Sequence, residues 1–225
     1  MFKDLITLFF PEYCPACNTL LGKQEQGMCL RCFYNLPRTH YHNFRDNPLE
    51  QLLWGRINID KGSAYYFYKK SSPYQELIHD LKYNSNLKVG EFLGANLARE
   101  NKAIYKAADL IIPVPLHPKK LKIRGYNQSE VIAKAMATEL GIPLCTNVLK
   151  RNWHSASQTR KGKTARWENV ANIFSLNDPE IIRNKKLLLV DDVITTGSTI
   201  EACANELSKA TPQGILIGSL AFAIV

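Results

Sequence analysis

Residues Lys186–Ile200 read KLLLVDDVITTGSTI, and the fold turns on this stretch. Leu187–Val190 is an unbroken apolar run, which suits a parallel strand covered on both faces. Asp191 and Asp192 close that strand. Thr195-Thr196-Gly197-Ser198-Thr199 then opens a helix expected over Ile200–Leu207. In open α/β sheets ligands bind at the carboxyl ends of strands. A turn of small hydroxyl residues around one Gly can aim N–H groups and hydroxyls at an anion, helped by the helix N-terminus. Two carboxylates would repel a phosphate but accept hydrogen bonds from vicinal hydroxyls. Diol and phosphate together describe a ribose 5-phosphate. The plainer alternative is an ordinary strand–turn–helix with Ser/Thr caps, which any α/β protein has.

The chain around this stretch has 225 residues, enough for one moderate domain and a small module. Its 45% hydrophobic and 22% charged residues are an ordinary soluble balance. No apolar run approaches the length of a membrane span. Met1–Phe10 lacks the features of a secretory signal, so a cytoplasmic location is expected. The formal charge of +9 fits a phosphorylated or nucleic-acid partner without proving either.

Near the N-terminus, Cys14-Pro-Ala-Cys17 and Cys29-Leu-Arg-Cys32 form two CxxC pairs. Each short spacing lets two thiolates reach one metal, and two such knuckles complete a tetrahedral zinc site. Disulfides, an iron–sulfur site and a redox CxxC are the alternatives; the cytoplasmic expectation disfavours the first, and the last leaves the second pair unexplained. Four thiolates leave no open position, so Cys14, Cys17, Cys29 and Cys32 predict structural zinc. Residues 1–55 are expected to hold this module and a linker, with Leu5–Phe10 as a short packing element. The main domain is expected over 56–225. Cys203 reads as core packing.

Along the main domain the pattern predicts a strand at Gly62–Tyr68, a helix after Pro73 ending at Lys82-Tyr83-Asn84, and a helix over Leu87–Glu100. Ala108–Pro115 reads as a second parallel strand closed by prolines. A basic loop, Leu116–Gln128, follows it. A helix from Ser129 to Leu140 comes next, with Ser129 or Asn127 as cap and Gly141 as stop. Residues 116–170 hold eleven basic and three acidic side chains. Two basic stretches bracketing a ribose-phosphate site are what a pyrophosphate leaving group requires. Trp153–Asn169 reads as a long flexible loop suited to closing over substrate, and Val170–Leu176 as a short strand.

In this order the pieces resemble the ComF family, named from bacterial competence proteins and akin to type I phosphoribosyltransferases. The resemblance rests on the four cysteines, Ile112-Pro-Val-Pro-Leu116, Arg124-Gly-Tyr-Asn-Gln128, Gln158-Thr-Arg160, Asn169-Val170 and the 187–200 signature. It implies a five-stranded parallel core sheet flanked by helices, preceded by the zinc module. It implies phosphoribosyl pyrophosphate as ligand, with Mg²⁺. Asp191, Asp192 and Arg160 would be catalytic. Val193, Thr195, Thr196, Gly197, Ser198 and Thr199 would cradle the 5-phosphate, with Pro115, Leu116, His117, Arg124, Lys161 and Lys163 at the pyrophosphate. The family's mobile-loop pattern Q-T-G-L-S-R is altered here, with Arg160-Lys161-Gly162 in place of Gly-Leu-Ser.

Three functions follow. One is a phosphoribosyltransferase whose acceptor the sequence does not name. The second is a single-stranded DNA-binding factor for DNA uptake or processing, working with other competence proteins, in which Trp153 and Trp167 stack bases. The third is a zinc-stabilised scaffold without turnover. The intact acid pair and hydroxyl loop favour ligand binding over the scaffold.

Overall fold

The computed structural model describes residues 11–152 and 173–223. A sheet of four parallel strands organises it: β1 (Lys61–Tyr68), β2 (Leu110–Pro113), β5 (Lys186–Ile194) and β6 (Gly214–Ala223), in the order β1-β6-β5-β2. Strand β5 is central and continuously buried from Leu187 through Asp192. Its residues alternate between two apolar layers. Leu188 and Val190 join Leu216 and Leu220 on one face; Leu187 and Leu189 join Ile215 and Ile217 on the other. Covering both faces is why the strand reads as a solid apolar run rather than an alternating one.

The first layer is built by α3 (Gln75–Tyr83), α4 (Leu87–Glu100) and α7 (Gln128–Leu140). Helices α4 and α7 cross closely because of Gly94, where a Cβ would sit 2.8 Å from the Ile132 carbonyl oxygen. The short α5 (Lys102–Tyr105) then leads into β2. The second layer is built by α2 (Pro48–Leu53) and α8 (Ser198–Ser208) with a two-stranded antiparallel ribbon, β3 (Leu149–Arg151) and β4 (Phe174–Leu176).

Several expectations are refined. The helices over 87–100 and 128–140 fall where the periodicity puts them, and Asn127 caps the latter by accepting from the Ser129 N–H. Strand β5 runs past the acid pair to Ile194, so the acids lie within the strand rather than after it. The basic loop 116–128 is largely a helix, α6 (Pro118–Arg124), begun by Pro118 in the first turn and ended by Gly125 at φ 82. In place of five core strands, four occur among the described residues. At the fifth position, beyond β2, a single parallel bridge joins Ile111 to Leu144. Pro143 offers its carbonyl to Ile111 but has no N–H to extend the ladder. The expected Leu5–Phe10 element and the 153–169 loop lie outside the described residues, as does the Val170 end of the expected last strand.

The N-terminal segment is bound tightly to this core. The cysteine knuckles lie against α4: a Cβ on Gly27 would meet Phe92 Cβ at 2.8 Å, and Phe33 stacks edge-on with Phe92 at 5.3 Å. Helix α1 (Leu30–Tyr34) carries Phe33. Residues 37–39 then pair antiparallel with the outer edge of β1, Thr39 N donating to Tyr65 O and Phe67 N to Pro37 O. Helix α2 starts with a capping box made by Asn47 and Glu50 around Pro48. Its Leu49 and Leu53 are wholly buried in the second layer. Leu53 also lies against Gly197, where a Cβ would approach its Cδ2 to 2.9 Å. Leu53→Ala is therefore expected to destabilise the fold by about 2–5 kcal/mol, read as a lower denaturant midpoint with an unchanged m-value.

Candidate functional site

The site is assembled at the carboxyl ends of β2 and β5. Asp191 and Asp192 are only 7% and 4% exposed. Asp191 Oδ1 accepts from Ser129 Oγ at 2.9 Å and from the Asp192 N–H at 2.8 Å. Lys82 Nζ, from the last turn of α3, lies 3.1 Å from Asp192 Oδ2. Its approach lacks hydrogen-bond geometry, so this buried oxygen has a counter-charge but no hydrogen-bond donor. Such an acceptor is costly unless a ligand supplies the donor. Burial, then the neighbouring Asp192 charge, pushes the Asp191 carboxyl up to about 7, against the opposing pull of its hydrogen bonds and Lys82.

Beyond Ile194 the chain turns through Gly197, which takes φ 73 as it enters α8. Thr195, Thr196, Ser198 and Thr199 are exposed around it, with Thr196 and Ser198 hydroxyls 3.0 Å apart. Arg56, just after α2, clamps this turn. Its Nη1 donates to Thr196 O at 2.7 Å and to Leu52 O at 3.2 Å, while Nε and Nη2 bind Glu201. An N-terminal arginine thus holds the hydroxyl turn in shape. Val193 is half-buried beside it.

The loop after β2 is the second wall. Val114 N donates to Val190 O, and Asn127 Nδ2 donates to Val114 O at 3.0 Å. Pro115, Leu116 and His117 follow, half-buried. His117 caps α6, its Nδ1 accepting from the Lys119 N–H. Its pKa is lowered by desolvation and then by the fields of Arg151, Lys119 and Lys120, a positive surrounding fit for an anion.

The segment Arg124–Ser129 joins these walls. Arg124 is engaged by Gln128 and lies 5.5 Å from the Tyr83 ring centroid. Tyr126 donates to Leu81 O, next to Lys82. Asn127 holds the β2 loop and caps α7, and Ser129 reaches Asp191. Arg160, Lys161 and Lys163 lie outside the described residues. Lys82, which the sequence marks only as able to reach the site, joins Ser129 and Arg56, which sequence reasoning did not assign. Their partners stand 110, 62 and 145 positions away, with no local motif to announce them.

The four N-terminal cysteines converge, their sulfurs lying within 4.8 Å of one another, with Cys17 and Cys29 3.6 Å apart. Bonds of about 2.3 Å at tetrahedral angles separate zinc-bound sulfurs by about 3.8 Å, so the cluster fits zinc. Among these thiols, Cys17 is brought down to about 6 by Thr19, whereas burial raises Cys14 and Cys32. Cys203 is buried in the second layer, as core packing requires.

Known proteins are similar to this chain in sequence. The phosphoribosyl transferase domain family matches residues 127–223, from the Asn127 cap through β6. Competence protein F of Haemophilus influenzae is 32% identical over 229 residues, covering 95% of this chain and 98% of that protein. The chain belongs to the competence protein F (ComF) family. The DNA utilization protein YhgH of Escherichia coli K12 is 27% identical over 203 residues, covering 87% of this chain and 84% of its own. Among solved structures, a Bacillus subtilis glutamine phosphoribosylpyrophosphate amidotransferase complexed with ADP and GMP aligns with TM-score 0.45 and 22% identity, over 60% of this chain and 27% of that longer one. The ComF chain thus joins a phosphoribosyltransferase-like α/β core to an N-terminal cysteine cluster, and no described helix is long and apolar enough to cross a membrane.

The buried acid has a pH signature. Asp191 titrates near 3.8 when unfolded and near 7 when folded. Between those values the native state binds more protons, so this group's effect is a stability that declines as pH rises and is lost above about 7. Asp191→Asn is expected to flatten that decline, seen as a smaller difference in melting temperature across the interval.

Proposed function

We propose that this protein binds phosphoribosyl pyrophosphate with Mg²⁺ at the carboxyl edge of its sheet and works in DNA uptake or nucleotide metabolism. The observation that carries this reading is Asp192 Oδ2, a buried acceptor without a donor, one turn before a set of exposed hydroxyls. A ribose 5-phosphate supplies what both lack: hydroxyl protons for the acids and an anion for the turn. Thr195, Thr196, Gly197, Ser198 and Thr199 hold the 5-phosphate at the start of α8. This remote binding positions C1 for reaction. Pro115–His117, Lys119, Lys120 and Arg124 line the pyrophosphate side; Arg160, Lys161 and Lys163, which the family resemblance assigns to the same anion, lie outside the described residues.

The reaction this arrangement suits is displacement at C1 with pyrophosphate leaving and positive charge growing on the sugar. Asp191 and Asp192 favour that charge, and the basic wall stabilises the departing anion. The same acids and the ribose hydroxyls they hold would retain the metal, since carboxylate and hydroxyl oxygens suit a hard cation. When bound, Mg²⁺ neutralises the leaving group. Lys82 keeps the acid pair compensated in the absence of ligand.

Calorimetric titration with phosphoribosyl pyrophosphate and Mg²⁺ tests the reading. Asp191→Asn combined with Asp192→Asn is expected to weaken binding at least tenfold; unchanged affinity would remove the site assignment. A second reading, single-stranded DNA binding without turnover, draws on the relatives' names, competence protein and DNA utilization protein, and on the basic character of 116–170. Phosphate contacts would make DNA affinity fall steeply with salt. A flat salt dependence counts against this second reading.

A further inference from the structure

A separate cluster lies on the outer side of β1. His40 and His42 flank the buried Tyr41 just after the strip paired to β1, and Glu100 ends α4. His40 Nδ1 is 3.5 Å and His42 Nδ1 3.4 Å from the same oxygen, Glu100 Oε1. One ligand atom from each of the three residues lies within 4.8 Å of the others. We propose that His40, His42 and Glu100 form a second metal site, for a borderline transition-metal dication such as Zn²⁺, Co²⁺ or Ni²⁺.

The distances favour coordination over hydrogen bonding. Bonds of about 2.1 Å at tetrahedral angles place ligand atoms about 3.4 Å apart. An N–H···O hydrogen bond is usually about 2.9–3.0 Å between heavy atoms. The observed separations match the former. His42 Nδ1 is buried and has no hydrogen-bond partner despite the carboxylate beside it. A metal ion accounts for that nitrogen.

The carboxylate is oriented as a ligand would be. Arg38 Nη1 takes the other oxygen, Glu100 Oε2, at 3.3 Å and leaves Oε1 to the imidazoles. Arg38 is itself held over the Phe33 and Tyr65 rings, 4.7 and 5.3 Å from their centroids. Such outer contacts fix a ligand's direction. Two nitrogens and one oxygen suit zinc-like ions, whereas Mg²⁺ and Ca²⁺ prefer all-oxygen surroundings. The His40 side chain is 53% exposed, so water can reach this side of the cluster to complete the coordination. Lys61 begins β1, which puts the cluster toward the strand's amino end, whereas Asp191 and Asp192 lie at the carboxyl edge. The bound ion would tie the N-terminal segment to the end of α4 independently of the four cysteines.

Metal counting on the full chain tests this. Metal-free protein is first given one equivalent of zinc, which the four thiolates take, then titrated with Co²⁺ at neutral pH. The expected result is one further equivalent per chain, with cobalt d–d absorption, no new thiolate charge-transfer band and no competition from Mg²⁺. His40→Gln replaces an exposed side chain and is expected to weaken this uptake at least tenfold while zinc at the cysteines stays at one equivalent. The proposal is overturned if the zinc-loaded protein takes up no second ion, or if His40→Gln and His42→Gln bind it as the parent does. In the first case the cluster is an ion-pair network around Arg38 and Glu100.

Discussion

Two adjacent carboxylates buried inside the central strand are the constraint on which the site depends. Taking Asp191 and Asp192 out of water is unfavourable unless donors and counter-charge reach them. The fold brings Ser129 from α7 and Lys82 from α3 to do so. Those two helices must therefore meet the strand end in register, and the glycine-mediated contact of α4 with α7 helps set their position. One oxygen, Asp192 Oδ2, is left without a donor. The strain of that omission is tolerable in a binding site, where a ligand hydroxyl can relieve it.

The N-terminal segment contributes to the site as well as to packing. Its cysteine knuckles lie against α4, its residues 37–39 extend the β1 edge, and its α2 and Arg56 enclose the hydroxyl turn. Removing zinc from such a module would loosen contacts that reach the helices beside the acid pair. The cysteine cluster and the hydroxyl turn are thus parts of one connected structure.

Legibility followed the range of the interactions. The strand–turn–helix at 186–208 could be read because apolar run, acids, hydroxyls and glycine are contiguous. The two CxxC pairs were equally plain. The helix over 118–124 carried its signals too, Pro118 at the start and Gly125 at the end, but the run of lysines drew the reading toward a loop. Strand β6 was written in GILIGSLAFA and passed without assignment, although it completes the centre of the sheet. The fifth strand expected from family resemblance meets Pro143, whose missing N–H limits pairing to one bridge.

By itself the sequence determined the local elements, the cysteine cluster and the run of acids and hydroxyls in the central turn, because each depends on residues a few positions apart. Tertiary structure alone decided which distant side chains meet. Arg56 reaches Glu201 across 145 positions, Lys82 reaches Asp192 across 110, and His40 and His42 find Glu100 at the end of a distant helix. Periodicity and spacing report the backbone's own geometry. Contacts between remote segments arise only when the layers close over the sheet, and burial then decides which charges must meet.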